Sequence, residues 1–338
     1  MGEIPAGIRP YASKYELHEK LGYGVWSDVY RASEITEPIF ATPNLLPSPP
    51  ISPTNRSAPG NSRVLAVKKA SRRDAYKILE EEAKILTLLH SCKEASAYLV
   101  GFHGFDIAQH SIIMDSVPLS LENHTKLARK QPISTKTMLD PIIGAEQWAN
   151  MAENLISGLA FLRSKGCVHG DIKPSNILLR VDENGKCTPL YCDFSSSHIT
   201  TSTTSPDDIE EVSAVTTDYT SPELLESLHS KNVRAVATYA SDVFALAVTL
   251  IFAAIGESPY AGARIEMQKL VMAKEGLPLE YARGGEGASR VMKGKAVAKA
   301  LEGGLKKGVE ARLEVVEWRE VVREVVMGWK EGGWARGG

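Results

Sequence analysis

Strand-like and helix-like patterns occupy different parts of this chain. Short β-branched or apolar runs of strand length come first, at residues 15–22, 27–32, 64–69, 98–105 and 111–115. A single helical pattern interrupts them at residues 71–90, where Ile78, Ile85, Leu88 and Leu89 recur at helical spacing. Helical patterns dominate afterwards, at residues 144–166, 239–255, 264–273, 295–305 and 314–329. This separation predicts an α+β fold with a β-rich part followed by a mainly helical part.

A change of composition interrupts the β-rich part. Residues 33–62 contain seven prolines among Ser and Asn and lack hydrophobic periodicity, which predicts an inserted, solvated loop without stable structure. The remaining chain divides into an N-terminal extension (1–14), a small lobe (15–115), a large lobe (116–330) and a Gly-rich tail (331–338) that we expect to be frayed.

The bulk composition excludes several classes of protein. Of the 338 residues, 43% are hydrophobic and 24% charged, as in a globular protein. The net charge is only −2, so no overall field predicts a nucleic acid or a membrane surface as partner.

Several features predict an intracellular protein, in the cytoplasm or the nucleus. The four cysteines have no zinc-like spacing, and a chain of this length needs no disulfide framework, so we expect reduced thiols. The first ten residues have no apolar core of signal-peptide length. The longest apolar run, residues 243–255, is shorter than the roughly 20 residues that cross a bilayer and predicts a buried helix.

Two segments of the small lobe suit phosphate binding. Residues 21–29 (LGYGVWSDV) place Gly22 and Gly24 in a turn between strands, where backbone amides can approach phosphate oxygens closely. Such a turn alone is most often only a turn. Lys68 ends the apolar strand 65–68, and Glu82 on the following helix could form an ion pair that holds the lysine. An isolated lysine at this place is usually a solvated strand end.

Three segments of the large lobe carry polar residues in a more specific order. Residues 167–179 read CVHGDIKPSNILL, with a lysine two residues and an asparagine five residues after Asp171, followed by an apolar strand. Residues 191–195 read YCDFS and residues 216–223 read TTDYTSPE.

Together these segments resemble the motifs of eukaryotic-type protein kinases, in order, from about Tyr15 to about Trp329. The resemblance implies a bilobal fold, with a small antiparallel lobe containing one helix, a large helical lobe, and nucleotide between them. It also implies ATP and Mg²⁺ as cofactors and proteins as substrates. Lys173, two residues after the aspartate, is the serine/threonine kinase pattern, supported by Thr216.

The resemblance assigns a role to each polar position. Lys68 would bind the α- and β-phosphates, oriented by Glu82, and Asp171 would accept the proton of the substrate hydroxyl. Lys173 would neutralise the transferred phosphate. Asn176 and Asp193 would hold the metal ions, because Mg²⁺ prefers oxygen ligands.

Further positions follow from the same resemblance. The nucleotide contacts would be Leu21, Gly22, Gly24, Val29, Ala66, Lys68, Met114, Asp115, Val117 and Leu178, with Met114 as gatekeeper and residues 115–117 as the hinge. The apolar members would also suit ordinary core packing. The substrate loop would include Thr216, Tyr219 and Glu223; Asp242 would brace the catalytic loop, and Arg312 would pair with Glu223.

The chain departs from the family pattern at a few places. Ser27 replaces the third glycine of the phosphate loop and Asp28 follows it, so a carboxylate near the triphosphate could weaken ATP binding. Ser195 and Val215 also replace glycines. Gly170 stands where the family commonly has an arginine that pairs with a phosphorylated loop, so the chain is a non-RD variant. We therefore predict that loop phosphorylation is not its main on-switch.

Two alternatives stand beside an active serine/threonine kinase. A pseudokinase-like scaffold would keep the fold and bind nucleotide with little or no transfer, but all six polar positions are present here. A small-molecule kinase is disfavoured because residues 216–223 resemble a peptide platform. Substrate, pathway, regulatory partner and oligomeric state stay open, as do the roles of 33–62 and 284–307.

Overall fold

The computed structural model describes residues 6–35, 63–132, 137–201, 209–212, 215–292 and 295–332. The chain forms two compact units: the first comprises Met1–Thr87 and Gly101–Ser116, and the second comprises Leu88–Val100 and Val117–Gly338. Residues 36–62 of the predicted insert and 333–338 of the predicted tail lie outside the described residues. Ser33 and Glu34, which the sequence assigned to the insert, are the last residues of a strand, and residues 331–332 continue a helix.

The first unit contains a five-stranded antiparallel sheet and one long helix. Its strands are β1 (Tyr15–Tyr23), β2 (Ser27–Glu34), β3 (Val64–Ala70), β4 (Phe102–Asp106) and β5 (Ser111–Asp115), in the order β1-β2-β3-β5-β4. Helix α1 (Tyr76–Leu89) follows a 3₁₀ turn at Arg73–Ala75, so the predicted helix starts later than its pattern.

Strand alternation gives this sheet two different faces. Ala32, Leu65, Val67 and Ile113 form a buried apolar cluster, against which Tyr11 and Tyr15 pack. Because side chains alternate along a strand, Ala66 and Lys68 of β3 lie on the opposite face. The predicted N-terminal extension joins this unit, since Arg9 and Tyr11 exchange backbone hydrogen bonds with Phe105 of β4.

The second unit is mainly helical. Its helices are α2 (Ala95–Tyr98), α3 (Leu121–Arg129), α4 (Ala145–Ser164), α5 (Pro222–Leu228), α6 (Tyr239–Ile255), α7 (Glu266–Glu275), α8 (Pro278–Ala282), α9 (Ala296–Leu301) and α10 (Val315–Gly332). Two short antiparallel pairs accompany them: β6 (Cys167–Val168) with β9 (His198–Ile199), and β7 (Ile177–Val181) with β8 (Cys187–Tyr191). The predicted strand at 98–105 is wrong in its first half, because α2 ends at Tyr98 and β4 begins only at Phe102.

Helix α6 forms the core of the second unit. Nearly all of its residues are buried, as its unbroken apolar sequence requires. A capping box between Thr238 and Ser241 starts the helix, and Gly256 ends it with a left-handed φ of 92°. The buried indole of Trp148 on α4 donates to the Leu250 carbonyl at 2.9 Å. No described helix is long and apolar enough to cross a membrane.

Candidate active site

A buried ion pair joins β3 and α1 in the first unit. The Lys68 amine lies 2.6 Å from Glu82 Oε2 and 2.8 Å from Oε1, and the side chains are 6% and 1% exposed. Lys68 extends from a strand with neighbours on both sides, β2 and β5, which fixes its backbone. The pair expected from the sequence is therefore present, and its lysine is buried against a carboxylate rather than exposed at the end of a strand.

The glycine turn between β1 and β2 has room around its backbone. The Gly24 N–H donates to the Ser27 carbonyl at 2.8 Å and closes the turn. A Cβ at Gly22 would meet no atom within 4 Å, and one at Gly24 would meet only the Ser27 oxygen at 3.7 Å. Neither glycine has a positive φ. The turn itself does not require glycine, so the bare backbone suits close approach by a ligand.

The carboxylate of Asp28 has a partner. Lys20 Nζ lies 2.8 Å from Asp28 Oδ1, and the Tyr30 hydroxyl lies 3.4 Å from Oδ2. The hydrogen bond with Asp28 raises the pKa of Lys20. The charge that the sequence suggested would repel a triphosphate is thus countered by a neighbouring ammonium.

The predicted nucleotide contacts divide between the two units. Val29 and Lys68 are cross-strand partners, and so are Ala66 and Met114, so these four share one face of the sheet. Asp115 ends β5, where its backbone N–H donates to the Gly101 carbonyl and its carboxylate lies 2.8 Å from His103 Nε2. Leu21 is 42% exposed at the end of β1. Val117 and Leu178 belong to the second unit, where Leu178 pairs with Leu190.

The Asp171 carboxylate is the centre of a compact polar cluster in the second unit. Asp171 Oδ2 accepts from Lys173 Nζ at 2.7 Å and from Asn176 Nδ2 at 2.9 Å. Lys173 also lies 3.3 Å from Thr216 Oγ1. Burial raises the pKa of Asp171, while the charge of Lys173 opposes the rise. The structure therefore brings Lys173 and Asn176 to one oxygen of Asp171, and Lys173 connects this group to Thr216.

The neutral ring of His169 lies next to this cluster and hydrogen-bonds its backbone. Its Nε2 lies 3.2 Å from the Cys192 carbonyl, and the Asp171 N–H donates to its Nδ1 at 3.3 Å. These bonds require the proton on Nε2, since Nδ1 must accept. The ring packs on Phe194 with centroids 4.8 Å apart. Complete burial lowers the pKa of His169 to about 4, so the imidazole stays neutral at ordinary pH.

Asp242 braces the backbone of the catalytic loop, as the resemblance implied. Its buried carboxylate accepts from the His169 N–H at 2.7 Å and the Gly170 N–H at 2.9 Å. Burial raises the pKa of Asp242 to about 7, and the two N–H bonds oppose that rise. Gly170 has φ 79°, and a Cβ there would lie 2.4 Å from the Ser196 carbonyl oxygen. This backbone path therefore excludes the arginine common in the family.

Asp193 is held in an unusual backbone conformation, with a φ of 63°. The Ser195 hydroxyl donates to Asp193 Oδ1 at 2.8 Å. The Cys192 N–H donates to the Asn176 carbonyl at 3.0 Å, which brings together the two predicted metal-binding positions, one just before β7 and one just after β8. Ser195, noted from the sequence only as a lost glycine, thus orients the carboxylate beside it.

The substrate loop is anchored at Glu223. Arg312 binds this carboxylate through two bonds of 2.8 and 3.0 Å, and its side chain is only 1% exposed. Burial would raise the pKa of Glu223, but the bonds and charge of Arg312 outweigh it and the pKa is lowered. Thr220 closes the loop through a bond to the Thr216 carbonyl, and Tyr219 packs on Phe252 of α6.

Comparison with known proteins identifies this arrangement. A family model described as the protein kinase domain matches residues 57–308, about three-quarters of the chain. The chain belongs to the protein kinase family. Its antiparallel small lobe and helical large lobe are those of the bilobal kinase fold. Strands β1 and β2 precede the matched range, but β2 pairs with β3 from Ser27 to Ser33 and so belongs to the same lobe.

The chain is similar to curated kinases over part of their length. It is 30% identical over 199 residues to the dual specificity mitogen-activated protein kinase kinase sek-1 of Caenorhabditis elegans, covering 56% of this chain and 52% of that one. It is 25% identical over 244 residues to the serine/threonine-protein kinase ISR1 of Saccharomyces cerevisiae, covering 66% and 50%. The chain thus spans about half the length of these relatives.

The kinase's predicted metal ligands fit a hard cation chemically. Asn176 turns its amide nitrogen toward the Asp171 carbonyl and carboxylate, so its amide oxygen points the other way. An amide oxygen and the Asp193 carboxylate are the ligand types that Mg²⁺ takes together with phosphate oxygens and water. Among the described residues, no group of three or more His, Cys, Asp or Glu could hold a metal ion.

Proposed function

We propose that this kinase transfers the γ-phosphate of ATP, with Mg²⁺, to serine and threonine hydroxyls of protein substrates. The observation that carries this proposal is the Asp171 cluster: a buried carboxylate bonded to Lys173 and Asn176, with Lys173 also reaching Thr216. Such a cluster supplies a base, a cation and a metal-facing amide within one hydrogen-bond network.

The reaction follows from these residues. The substrate oxygen bonds to the γ-phosphorus, the bond from that phosphorus to the β–γ bridging oxygen breaks, and ADP leaves. Asp171 accepts the hydroxyl proton; because burial raises its pKa, it is a stronger base than a solvated carboxylate. Lys173 balances charge on the phosphoryl group, and Lys68 holds the α- and β-phosphates. Asn176 and Asp193 would hold Mg²⁺, which would supply further charge neutralisation.

Other parts of the proposal rest on the sequence. The lobes are 15–115 and 116–330, and the nucleotide contacts are those named above. The partners are protein substrates, not nucleic acid or membrane, and the compartment is intracellular. The non-RD character rests on Gly170, whose backbone conformation leaves no space for a side chain.

Radiolabelled phosphate transfer from ATP and Mg²⁺ tests the proposal. We expect wild type to label Ser and Thr of itself and of a generic protein substrate, and Asp171→Asn and Lys68→Met to be silent. Asp74→Asn and Lys93→Met, at exposed positions, are the matched controls and should label normally. A wild type that is silent while ATP raises its melting temperature is a nucleotide-binding scaffold, and transfer only to metabolites would indicate a small-molecule kinase.

A further inference from the structure

A cavity of about 410 Å³ opens in the large lobe beside the substrate loop. Its apolar lining comes from the end of α6, the following loop, α7 and α8, and includes Ile255, Pro259, Met272 and Tyr281. The volume is within the range of roughly 300–1,000 Å³ typical of ligand sites. No residue assigned to phosphate transfer above lines it, so its function is not explained by that reaction.

The cavity is physically continuous with the substrate loop. Met272 and Tyr281 belong to the same apolar cluster as Val215, which begins that loop. Ser258, at the cavity, hydrogen-bonds Asp218 of the loop, and Asp218 also pairs with Lys269 of α7 at 3.4 Å. The substrate loop and the wall of the cavity are therefore packed against each other.

The rim of the cavity carries an excess of negative charge. Glu257 and Glu286 line it, and the Arg129 guanidinium lies 2.9 Å from one oxygen of each. Two carboxylates thus share one cation, whereas the adjacent Asp218–Lys269 pair is balanced. Glu257 is only 17% exposed, so its charge is less screened than that of a surface glutamate.

The glycine-rich run after α8 forms one wall. Gly284 and Gly285 line the cavity, and a Cβ at Gly285 would lie 3.3 Å from Glu257 Oε1. A Cβ at Gly287 would lie 2.5 Å from the Cβ of Ile255, so only glycine allows this close approach to α6. The run thus keeps the wall near the carboxylates without filling the cavity. This accounts for part of the 284–307 region that the sequence left unexplained.

We infer that this cavity binds a basic side chain, arginine or lysine, of a protein substrate segment outside the phosphorylated residue. The apolar lining suits the aliphatic stem of such a side chain, and the two carboxylates suit its charged end. The same carboxylates disfavour an anionic occupant by charge repulsion. A purely apolar occupant would cover Glu257 without supplying a second cation to the two carboxylates that share Arg129. The inference rests on the proposed function for its occupant, but the binding site itself can be tested without catalysis.

Peptide binding without nucleotide tests the inference. Fluorescence polarisation would measure labelled short peptides that contain Arg and Leu, and twins with Gln or Leu in place of Arg, on the Asp171→Asn protein. We expect the Arg peptide to bind at least about tenfold more tightly than either twin, and this advantage to shrink as salt rises from about 0.05 to about 0.5 M. Equal binding of the Leu twin would mean an apolar occupant and would overturn the inference.

Variants locate the binding. The double change Glu257→Gln with Glu286→Gln should abolish the preference for Arg. Gly262→Phe places a ring at the cavity, where a Cβ meets no atom within 4 Å, so the protein can accommodate the ring. This variant should bind the Arg peptide more weakly, because the ring occupies the cavity. Glu310→Gln and Gly308→Phe are exposed controls and should behave as the parent. An Arg preference that survives both cavity variants would place the site elsewhere.

Kinetics separate the two proposals. If the kinase transfers phosphate, the double Gln variant should raise KM for an Arg-containing peptide substrate and leave kcat unchanged, as expected for an interaction made before the reaction. If the protein binds the Arg peptide but labels nothing, the cavity stands and the transfer proposal fails.

Discussion

Each unit contains an ion pair with a buried cation, and the two pairs are built differently. Arg312 in the large lobe uses all five of its N–H donors: two to Glu223 and three to the carbonyls of Ala240, Lys306 and Lys307. Its guanidinium also lies 5.1 Å from the ring centre of Phe244. Lys68 in the small lobe instead directs two bonds to the carboxylate of one buried side chain, Glu82.

This difference separates a structural brace from a site that exchanges partners. Three of the Arg312 bonds end on backbone carbonyls, so the guanidinium cannot leave without breaking them. We expect the Lys68 ammonium to reach a phosphate while Glu82 keeps contact, because the Lys68–Glu82 bonds join two side chains. A buried charge saturated by backbone stabilises the fold, whereas one held by another side chain can serve a ligand.

Arg312→Met should give the largest effect, on stability. It leaves Glu223 and three carbonyls without their donor, and we expect the free energy of unfolding to fall by about 3–5 kcal/mol in urea denaturation. Arg323→Met is the matched control, because Arg323 forms half-exposed pairs with Glu153 and Glu320. That control should lose less than about 1 kcal/mol. Similar losses in the two variants would contradict the assignment of Arg312 as a brace.

Lys68→Met should change activity far more than stability. Losing one charge that acts on the phosphates is expected to lower kcat/KM about 10²–10³-fold, or about 2.7–4 kcal/mol. Lys68→Met with Glu82→Gln removes both charges, and its unfolding free energy should stay near that of wild type, since apolar replacement of buried pairs is often neutral. A double variant as unstable as Arg312→Met would remove the distinction between the pairs.

Acid should lower the free energy of unfolding through His169, which lies in the loop bound by Asp242. Its pKa is lowered by burial from 6.5 to about 4, so the unfolded chain binds the extra proton first and stability falls as pH drops from about 6.5 to about 4, by roughly 3 kcal/mol. Asp242 has the opposite sign: its pKa is raised by burial to about 7, so its effect is favourable at low pH and is lost as pH rises to about 7.

The difference in unfolding free energy between wild type and His169→Gln isolates the histidine, because Asp242 is common to both. As pH falls from 6.5 to 4, we expect wild type to lose about 3 kcal/mol of unfolding free energy relative to His169→Gln. A difference that stays constant over this interval would mean that His169 takes up its proton in the folded protein as readily as in the unfolded chain.

The sequence pattern correctly predicted elements with an unbroken apolar run and clear end signals. Helix α6 has the predicted bounds, because an unbroken apolar run lies between a capping Thr238 and a terminating Gly256. The segment at 98–105 was misread because long-range packing decides it: Tyr98 lies against Gly158 of α4, where a Cβ would come within 3.2 Å of the Tyr98 Cβ. No periodicity in the sequence reports that contact.

The polar positions of the site were found by motif, together with the Lys68–Glu82 and Arg312–Glu223 pairs, but other bonds of the site were not. Spacing alone could not show that Lys20 pairs with Asp28 or that Ser195 orients Asp193, because both bonds depend on side-chain direction. The buried state of His169, and hence its neutral form, depends on the packing of Phe194 and Tyr191 around it. The spacing of residues in a motif does not predict these bonds or this burial, because both depend on how distant segments pack.

Gly170→Ala should give the smallest effect on stability. It tests whether the Asp242-bound loop needs a glycine at position 170. Its left-handed φ and the 2.4 Å approach of Ser196 O to a new Cβ should together lower the unfolding free energy by about 2 kcal/mol. Gly185→Ala is the control: Gly185 also has a positive φ, 77°, but a Cβ there meets no atom within 4 Å. It should lose only the conformational share, about 1 kcal/mol. If both changes lose the same amount, the Ser196 contact is not what excludes a side chain, and restoring arginine at 170 becomes sterically possible.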